Sequence, residues 1–352
     1  MEIKRKLATI EKVLDVQPIE GADSIVKVKI RDWWCVARKD EFEVDDVAVY
    51  FEIDSLLPSS NPVFAFLGNG SKEKTIDIDG IEFKGYRLKT VKLRGQVSQG
   101  LVLPINQFKE LTDESFSFGE DVTDILGIVK YEAPIPACLS GIAKGSFPNF
   151  IPKTDEERIQ NCSDVLEKYK DVPFYATEKI DGTSTTYYKK DGIFGVCSRN
   201  LELIESDVLQ WRKAKELAID NNLPDGYAIQ GELFGEGIQG NPLKIKGQRI
   251  YFFSVFDISK QEFLSFKEFV SFIENIKLET VPVYYSNYYL NNDTVESLLD
   301  LSDKFKSYIN KEVNAEGLVF RSEKEMKAEI NGSLSRLSFK VLSNKYLLKK
   351  EK

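Results

Sequence analysis

Hydrophobic and polar positions alternate with a period of two through much of the first third of the chain. Lys27-Val-Lys-Ile30 alternates, Trp33-Trp-Cys-Val-Ala37 is an apolar run, and Val47-Ala-Val-Tyr-Phe51 is a stronger one. Short runs rich in β-branched and aromatic residues predict strands. Turn-forming clusters at Glu20-Gly-Ala-Asp23, Leu57-Pro-Ser-Ser60 and Asp79-Gly80 separate them. No helical period stands out, so residues 1–111 are expected to form a small closed β-barrel.

A connector over 112–150 should follow, because Pro134, Pro136, Gly141, Gly145 and Pro148 interrupt any regular element. From 151 to 352, strands alternate with three helices that carry start signals. Ser206-Asp207 opens one through Trp211 and Leu217. Ser265 with Glu268 forms a capping box before Phe269, Ile273 and Ile276, and Asp293 with Glu296 does the same before Leu298, Phe305 and Ile309. The expected fold class is α+β: a front barrel, then a domain of antiparallel sheets with flanking helices.

Composition changes this picture mainly by exclusion. With 352 residues, 42% apolar and 30% charged, the chain is long enough for two separately cored domains. No run reaches membrane-span length, and Met1-Glu-Ile-Lys-Arg-Lys6 lacks a signal-peptide core. Cys35, Cys138, Cys162 and Cys197 are far apart and read as reduced thiols, so an intracellular, soluble (cytoplasmic or nuclear) protein is expected. Asn69, Asn292 and Asn331 then match glycosylation acceptors by chance. Histidine is absent. That excludes Ser-His-Asp and Cys-His catalysis and leaves hard, carboxylate-bound cations, magnesium or manganese, as the metals to expect.

The net charge of −8 argues against coating nucleic acid by charge alone. Yet Lys84, Arg87, Lys89, Lys92, Arg94 and Lys109 fall in a stretch, 84–109, without an acidic residue, although residues 1–140 carry 18 Lys+Arg against 24 Asp+Glu. This strip suggests a phosphate-backbone track on the barrel, or else a solvated strand face. Gly235-Glu-Gly-Ile-Gln-Gly240 fits a dinucleotide fingerprint, but Asn241-Pro242 follows at once and leaves no helix to receive a pyrophosphate. It is a decoy.

The chemistry centres on Ala176-Thr-Glu-Lys-Ile-Asp-Gly-Thr-Ser-Thr185. Lys179 can attack phosphorus only as a free amine, and a carboxylate holding a cation, here Asp181, would help it lose its proton. Gly182 is expected to leave room for a nucleotide. Five segments follow: Cys197-Ser-Arg-Asn200, Gln230-Gly-Glu-Leu-Phe-Gly235, Phe252-Phe-Ser-Val-Phe-Asp-Ile258, Glu316-Gly-Leu-Val-Phe-Arg321 and Ser338-Phe-Lys-Val-Leu-Ser-Asn-Lys345. In this order and spacing they resemble the motif series of the covalent nucleotidyltransferases, ATP-dependent ligases and mRNA capping enzymes, over roughly residues 150–345.

The resemblance implies that Lys179 takes AMP from ATP, with Asp181, Glu232 and Glu316 around the metal. Glu178 would face adenine or ribose, Phe256 would pack on the base, Arg199 would lie near ribose and substrate phosphate, and Lys340 would contact the α-phosphate. Related enzymes often carry Lys-x-Lys in the last motif. Here Ser338 stands at the other position, and Lys345 is a candidate for the second charge. The chain ends 12 residues after Lys340, where DNA ligases and capping enzymes typically continue. Phe147-Pro-Asn-Phe-Ile-Pro-Lys-Thr-Asp-Glu-Glu-Arg-Ile-Gln160 is similar to a leading segment of RNA ligases in which Lys153 and Arg158 would hold the β- and γ-phosphates.

Glu20-Gly-Ala-Asp-Ser24, Val49-Tyr-Phe-Glu-Ile-Asp-Ser55 and Leu93-Arg-Gly-Gln-Val-Ser-Gln-Gly-Leu-Val102 resemble OB-type domains related to tRNA-binding modules. The pairing resembles RNA ligase family five. It implies ATP as substrate, Mg2+ or Mn2+ as cofactor, and RNA with 3′-OH and 5′-phosphate ends, a nicked duplex, as partner. A DNA ligase or guanylyltransferase on the same fold is an alternative, as is a non-catalytic OB-type RNA-binding protein.

Overall fold

The computed structural model describes residues 6–31, 33–78, 80–98, 100–111, 116–131, 141–330 and 333–350. Asp79, Pro134, Pro136, Cys138 and Asn331 lie outside them. The chain divides into two compact units, residues 1–134 with 347–352 and residues 135–346.

The first unit is built from strands β1 (Ala8–Pro18), β2 (Ile25–Ile30), β3 (Trp33–Arg38), β4 (Val47–Phe51), β5 (Ser55–Pro58), β6 (Lys74–Ile78), β7 (Ile81–Arg87), β8 (Val91–Leu93), β9 (Gln96–Ser98), β10 (Leu101–Pro104) and β11 (Val129–Lys130). They form sheets ordered β10-β4-β1-β2-β3 and β11-β5-β7-β6, with β8-β9 a separate hairpin. The five-stranded sheet curls, since its edge strands β3 and β10 lie against each other. Strand β4 explains its continuous apolar run by alternation. Ala48 and Tyr50 enter a core with Val28, Ile30 and Trp33, while Val49 and Phe51 enter a second with Leu57, Phe64 and Phe108. A 3-10 helix, Pro62–Asn69, delivers Phe64; Asn61 caps it, its side chain accepting from the Val63 amide. The apolar period did not reveal it, but Asn-Pro is a start signal.

The connector expected over 112–150 is not wholly irregular. Strand β11 pairs with β5, and β12 (Ala143–Ser146) joins the large sheet of the second unit.

That sheet has the order β12-β16-β15-β14-β17-β18-β19, where β14 is Thr183–Lys190, β15 Ile193–Cys197, β16 Leu201–Leu203, β17 Tyr227–Gly235, β18 Gln248–Asp257 and β19 Glu262–Phe263. A second sheet runs β20-β13-β21-β24, with β13 Phe174–Lys179, β20 Val283–Tyr288, β21 Gly317–Ser322 and β24 Ser338–Leu342; β22 (Lys327–Ile330) and β23 (Ser333–Arg336) form a hairpin. Helices cover one face of each. Trp211 and Ala214 of α2 (Leu209–Glu216), Ile219 of α3 (Ile219–Asn222) and Phe269 and Ile273 of α4 (Phe266–Asn275) pack on Tyr187, Ile229, Phe252 and Val255. Val165 and Leu166 of α1 (Asp164–Lys168) and Val295 and Leu298 of α5 (Val295–Ser302) pack on Phe174, Phe320 and Phe339. Alternation then assigns the opposite faces to polar side chains: Gln230, Glu232 and Ser254 on one sheet, Thr177, Lys179, Arg321 and Lys340 on the other.

Two expected helix limits are corrected. Helix α2 begins at Leu209 after an extended Val208 without a side-chain cap, so Ser206-Asp207 lies outside it. The capping box of α5 is Thr294 with Ser297, and the helix ends at Ser302, leaving Phe305 and Ile309 to a loop. The Ser265–Glu268 box of α4 is present. Among the described residues no helix is long and apolar enough to cross a membrane.

Phe51 is fully buried and meets Phe64 edge-on at 5.4 Å. Phe51→Ala should destabilise the first unit by about 3–5 kcal/mol. Equilibrium denaturation checks this, and a loss under about 1 kcal/mol would contradict a core built on β4.

Candidate active site

Strand β13 ends at Lys179 between two glycine-dependent close approaches. A Cβ on Gly182 would lie 2.1 Å from the Leu233 carbonyl oxygen, and one on Gly317 would lie 2.3 Å from that of Val341. The space at Gly182 is therefore filled by β17, not by a nucleotide as the sequence suggested. The contact brings Glu232 beside the turn, where its carboxylate accepts from the Gly182 amide.

Lys179 Nζ donates to Glu316 Oε2 at 2.9 Å. Burial pulls the amine's pKa down, but Glu316, Glu232 and Asp181 overcome it and the net shift is upward. The lysine at rest is an ammonium ion. Glu232 pays for the crowding: burial above all, with Glu316 and Asp181 adding to it, raises its pKa to about 8. Asp181 accepts from the Tyr346 hydroxyl at 2.5 Å. Tyr346 had escaped sequence reasoning because no motif marks it.

Opposite this acidic set stands a basic one. Lys340 and Arg158 form a parallel bridge, and the Lys340 amide donates to the Glu157 carbonyl at 2.7 Å. Burial, then the charges of Arg158 and Lys179, lower the Lys340 pKa to about 8. The charges of Arg158 and Lys179 thus act on Lys340, and Asp155 and Glu157 offset part of that repulsion.

Residues 152–158 form a strap across both polar sheet faces. Gln230 Nε2 donates to the Pro152 carbonyl at 2.8 Å, and Thr154 Oγ1 bonds Ser184 Oγ at 2.8 Å. Arg199 pairs with Asp155 at 2.8 Å, an exposed contact. Glu156 is held by Arg321 Nε at 3.0 Å and by the Ser338 hydroxyl. Lys153 is exposed on the same strap.

Three candidates stand apart from this group. Phe256 is sealed in a core with Tyr188, Cys197 and Phe263, its ring 5.0 Å from that of Phe263. The expectation that it packs on a base is corrected. Phe256 shares the face of Gln230 and Ser254, but Ile151, Tyr188 and Phe263 cover its ring; a bulge, with Gln230 paired to Ser254 and Gly231 to Phe252, leaves Phe253 as the extra residue. Phe253 is only partly buried and faces the Arg321 guanidinium at 5.4 Å. Glu178 alternates away from Lys179. It accepts from the Tyr308 amide at 2.9 Å and the Tyr284 hydroxyl at 3.4 Å, and burial raises its pKa against those bonds. Lys345 is directed to Asp303, its amide on the carboxylate at 3.1 Å and Nζ on the carbonyl at 3.4 Å. It does not supply the charge missing from the last motif.

In the first unit, Lys89, Lys92 and Arg94 are exposed on and beside the β8–β9 hairpin. Lys84 pairs with Glu82 at 2.8 Å, and Arg87 bonds Asp54 at 2.6 Å while lying over Tyr131. The strip is thus partly neutralised. At 235–241 the chain turns and no helix begins, in keeping with the rejected fingerprint.

The donor set of Asp181, Glu232 and Glu316 offers only hard oxygens, which suits a magnesium-like ion. Among the described residues, however, no three His, Cys, Asp or Glu side chains form a close metal cage. With Glu316 on Lys179 and Asp181 on Tyr346, the set fits an ion that keeps most of its waters.

A paired amine among carboxylates, facing a lysine and an arginine on a strap, is the equipment of a covalent nucleotidyltransferase. Comparison with known proteins narrows this. An OB-fold domain model matches residues 7–105 and an RNA ligase model matches residues 172–342. The Naegleria gruberi RNA ligase solved with PPi is 41% identical, with 99% of each chain covered and a TM-score of 0.83. A lysine-to-alanine variant of that enzyme with ATP and Mn is also 41% identical, covering 98% of this chain and 99% of that one at a TM-score of 0.83. An apo aspartate-to-alanine variant gives 41%, 99% and 98%, and 0.84. A comparison with curated proteins finds no match. The chain belongs to the RNA ligase family, with an OB-fold module in front of the ligase domain.

The depressed Lys340 pKa has a definite sign for stability. Below about 8 its charged form destabilises the fold, and that cost fades as pH rises toward the usual 10.5. Lys340→Met should therefore be more stable than the parent at pH 7, with the gap closing above pH 8. Thermal melts across pH test this; a variant less stable at pH 7 contradicts the placement.

Proposed function

We propose that this chain is an ATP-dependent RNA ligase that joins a 3′-hydroxyl end to a 5′-phosphate end through a lysyl-AMP intermediate on Lys179. The observation that carries this reading is the Lys179–Glu316 pair at 2.9 Å, flanked by Glu232 and Asp181 and opposed by Lys340 and Arg158. It is supported by the family and by relatives solved with ATP and Mn.

Three displacements at phosphorus make up the reaction. Lys179 Nζ attacks the α-phosphorus of ATP and pyrophosphate leaves. AMP passes to the RNA 5′-phosphate as a 5′-5′ pyrophosphate, and a 3′-hydroxyl then displaces it and closes the strand. There is little covalent work for the protein beyond holding the groups in line and matching charge. Glu316, already bonded to the ammonium, is placed to take its proton. Lys340 meets the α-phosphate, and Arg158, with Lys153, the β- and γ-phosphates, so that charge developing on the leaving pyrophosphate is met by fixed cations.

Magnesium or manganese near Asp181, Glu232 and Glu316 would offset the carboxylate charge that keeps the lysine protonated. Phe253, not Phe256, is assigned to the base. Arg199 acts through Asp155 on the strap, and Glu178 anchors the loop at Tyr308. Residues 1–111 grip RNA, with Lys89, Lys92 and Arg94 on its backbone, and residues 151–352 carry the chemistry. The substrate is a nicked duplex and the task RNA repair.

Lys179→Ala should abolish labelling by α-labelled ATP, and mass spectrometry of the parent should find AMP on Lys179. Adduct on another residue would refute the assignment. Arg158→Ala should weaken adenylation about a hundredfold while sparing the sealing of pre-adenylated RNA; equal loss in both steps contradicts the pyrophosphate role. Nicks with RNA or DNA at the 3′-hydroxyl side, and GTP in place of ATP, separate this reading from a DNA ligase or a guanylyltransferase.

A further inference from the structure

Strand β24 carries one lysine, Lys340, and two residues before it, on the same face, stands Ser338. We infer that Arg321, the register partner of Ser338 on the neighbouring strand, is a positioning residue that acts by neutralising and holding Glu156. Through Glu156 it positions the strap, and with it Arg158, for adenylation. The inference rests on the function proposed above and assigns a positioning residue to its first step.

Register makes this hold possible. Arg321 on β21 and Ser338 on β24 are direct partners, so their side chains leave the sheet side by side on the face that carries Lys340 and Lys179. Both bind one carboxylate. Arg321 reaches Glu156 Oε1 through Nε at 3.0 Å and Nη2 at 2.9 Å, while the Ser338 hydroxyl takes Oε2. A guanidinium offers this two-pronged hold in a fixed plane.

The pair is enclosed. Arg321 is 3% exposed, and the Glu156 side chain 14%. Thr177 Oγ1 accepts from Arg321 at 3.4 Å and the Phe253 ring covers the guanidinium. Removing the cation would strand a carboxylate among buried groups, which the strap can escape only by lifting away.

Nearby cations are occupied elsewhere. Arg336 is bonded to Glu325 at 2.9 Å and influences Glu156 only at a distance, and Lys345 is turned to Asp303. Two residues beyond Glu156, Arg158 bridges to Lys340, and the intervening Glu157 carbonyl accepts from the Lys340 amide. Glu156 therefore fixes where along β24 the strap lies. A shift of the anchor moves Arg158 off the leaving-group position without touching Lys179 or its carboxylates.

The test uses the full chain and two assays, adenylation with α-labelled ATP and sealing of a pre-adenylated nicked RNA. Arg321→Gln should raise the ATP concentration for half-maximal adenylation by about ten- to a hundredfold, with sealing kept within about threefold. Adding Ser338→Lys to that variant should restore most of the loss by returning a cation to the paired position. Arg321→Gln that adenylates like the parent overturns the inference. So does a double variant that melts at the parent temperature and is not rescued. If Arg321→Gln does not fold, Glu156→Gln with Arg321→Gln replaces the pair by neutral groups. That chain should fold and still need more ATP, and unchanged ATP dependence overturns the inference. A parent chain that takes no label overturns both this inference and the function beneath it, whereas a labelled parent with unaffected variants overturns this one alone.

Discussion

A half-buried ammonium has to be compensated, and the bond between Lys179 and Glu316 is the compensation on which the site depends. Its consequences spread outward through charge. One carboxylate in contact and two nearby raise the lysine's pKa, and the crowding raises Glu232 to about 8. Across from them, burial and the like charges of Arg158 and Lys179 lower Lys340 to about 8. Each set is frustrated in the same way: too many groups of one sign share one wall. A ligand with a polyanionic tail and an accompanying cation relieves both at once, and on the proposed function ATP with its divalent metal is that ligand.

Sheet alternation is what allows two opposed charge sets to coexist in one domain. Every strand that contributes a charged side chain to the inner faces sends its neighbours into a helix-covered core. Phe174 and Ala176 pack with Leu318 and Phe339, and Ile229 and Leu233 pack under α2 and α4. Strands thus hold Lys179, Glu232 and Lys340, while Asp181 and Glu316 lie within two residues of strand ends. The strap is the exception. It has no regular structure over residues 152–157, so it is held by side chains at Gln230, Ser184, Arg321 and Ser338.

Much of this was legible in the sequence because it is local. Strand patterns, the Ser265 capping box and Lys179 with its following Asp181 each lie within one short segment. Their joint order pointed to the family before any geometry was known. What the sequence could not show is what one segment does to another. The bulge in β18 leaves Phe253 as an extra residue beside the Arg321 guanidinium, and only pairing with β17 reveals it. Gly182 reads as room for a ligand until Leu233 is seen to fill that room. Lys345 looked like a spare cation by spacing, but the chain sends it to Asp303 at the end of α5. Tyr346 carries no motif at all, yet it holds Asp181.

The last motif makes the same point about charge. Read along the chain, Ser338 adds no cation to the strand that carries Lys340. Read across the sheet, the same spot holds Arg321, whose Cα is the register partner of Ser338. An electrostatic requirement is satisfied by a charge at a point in space, and antiparallel pairing gives two chain positions access to that point. A serine is then the favourable partner rather than a defect. It is small enough to leave the guanidinium its plane against Phe253, and its hydroxyl fills the carboxylate oxygen that the arginine leaves open. A lysine added beside an intact Arg321 would crowd two cations onto one carboxylate, so arginine on β21 and serine on β24 form one solution to a constraint that neither strand meets alone.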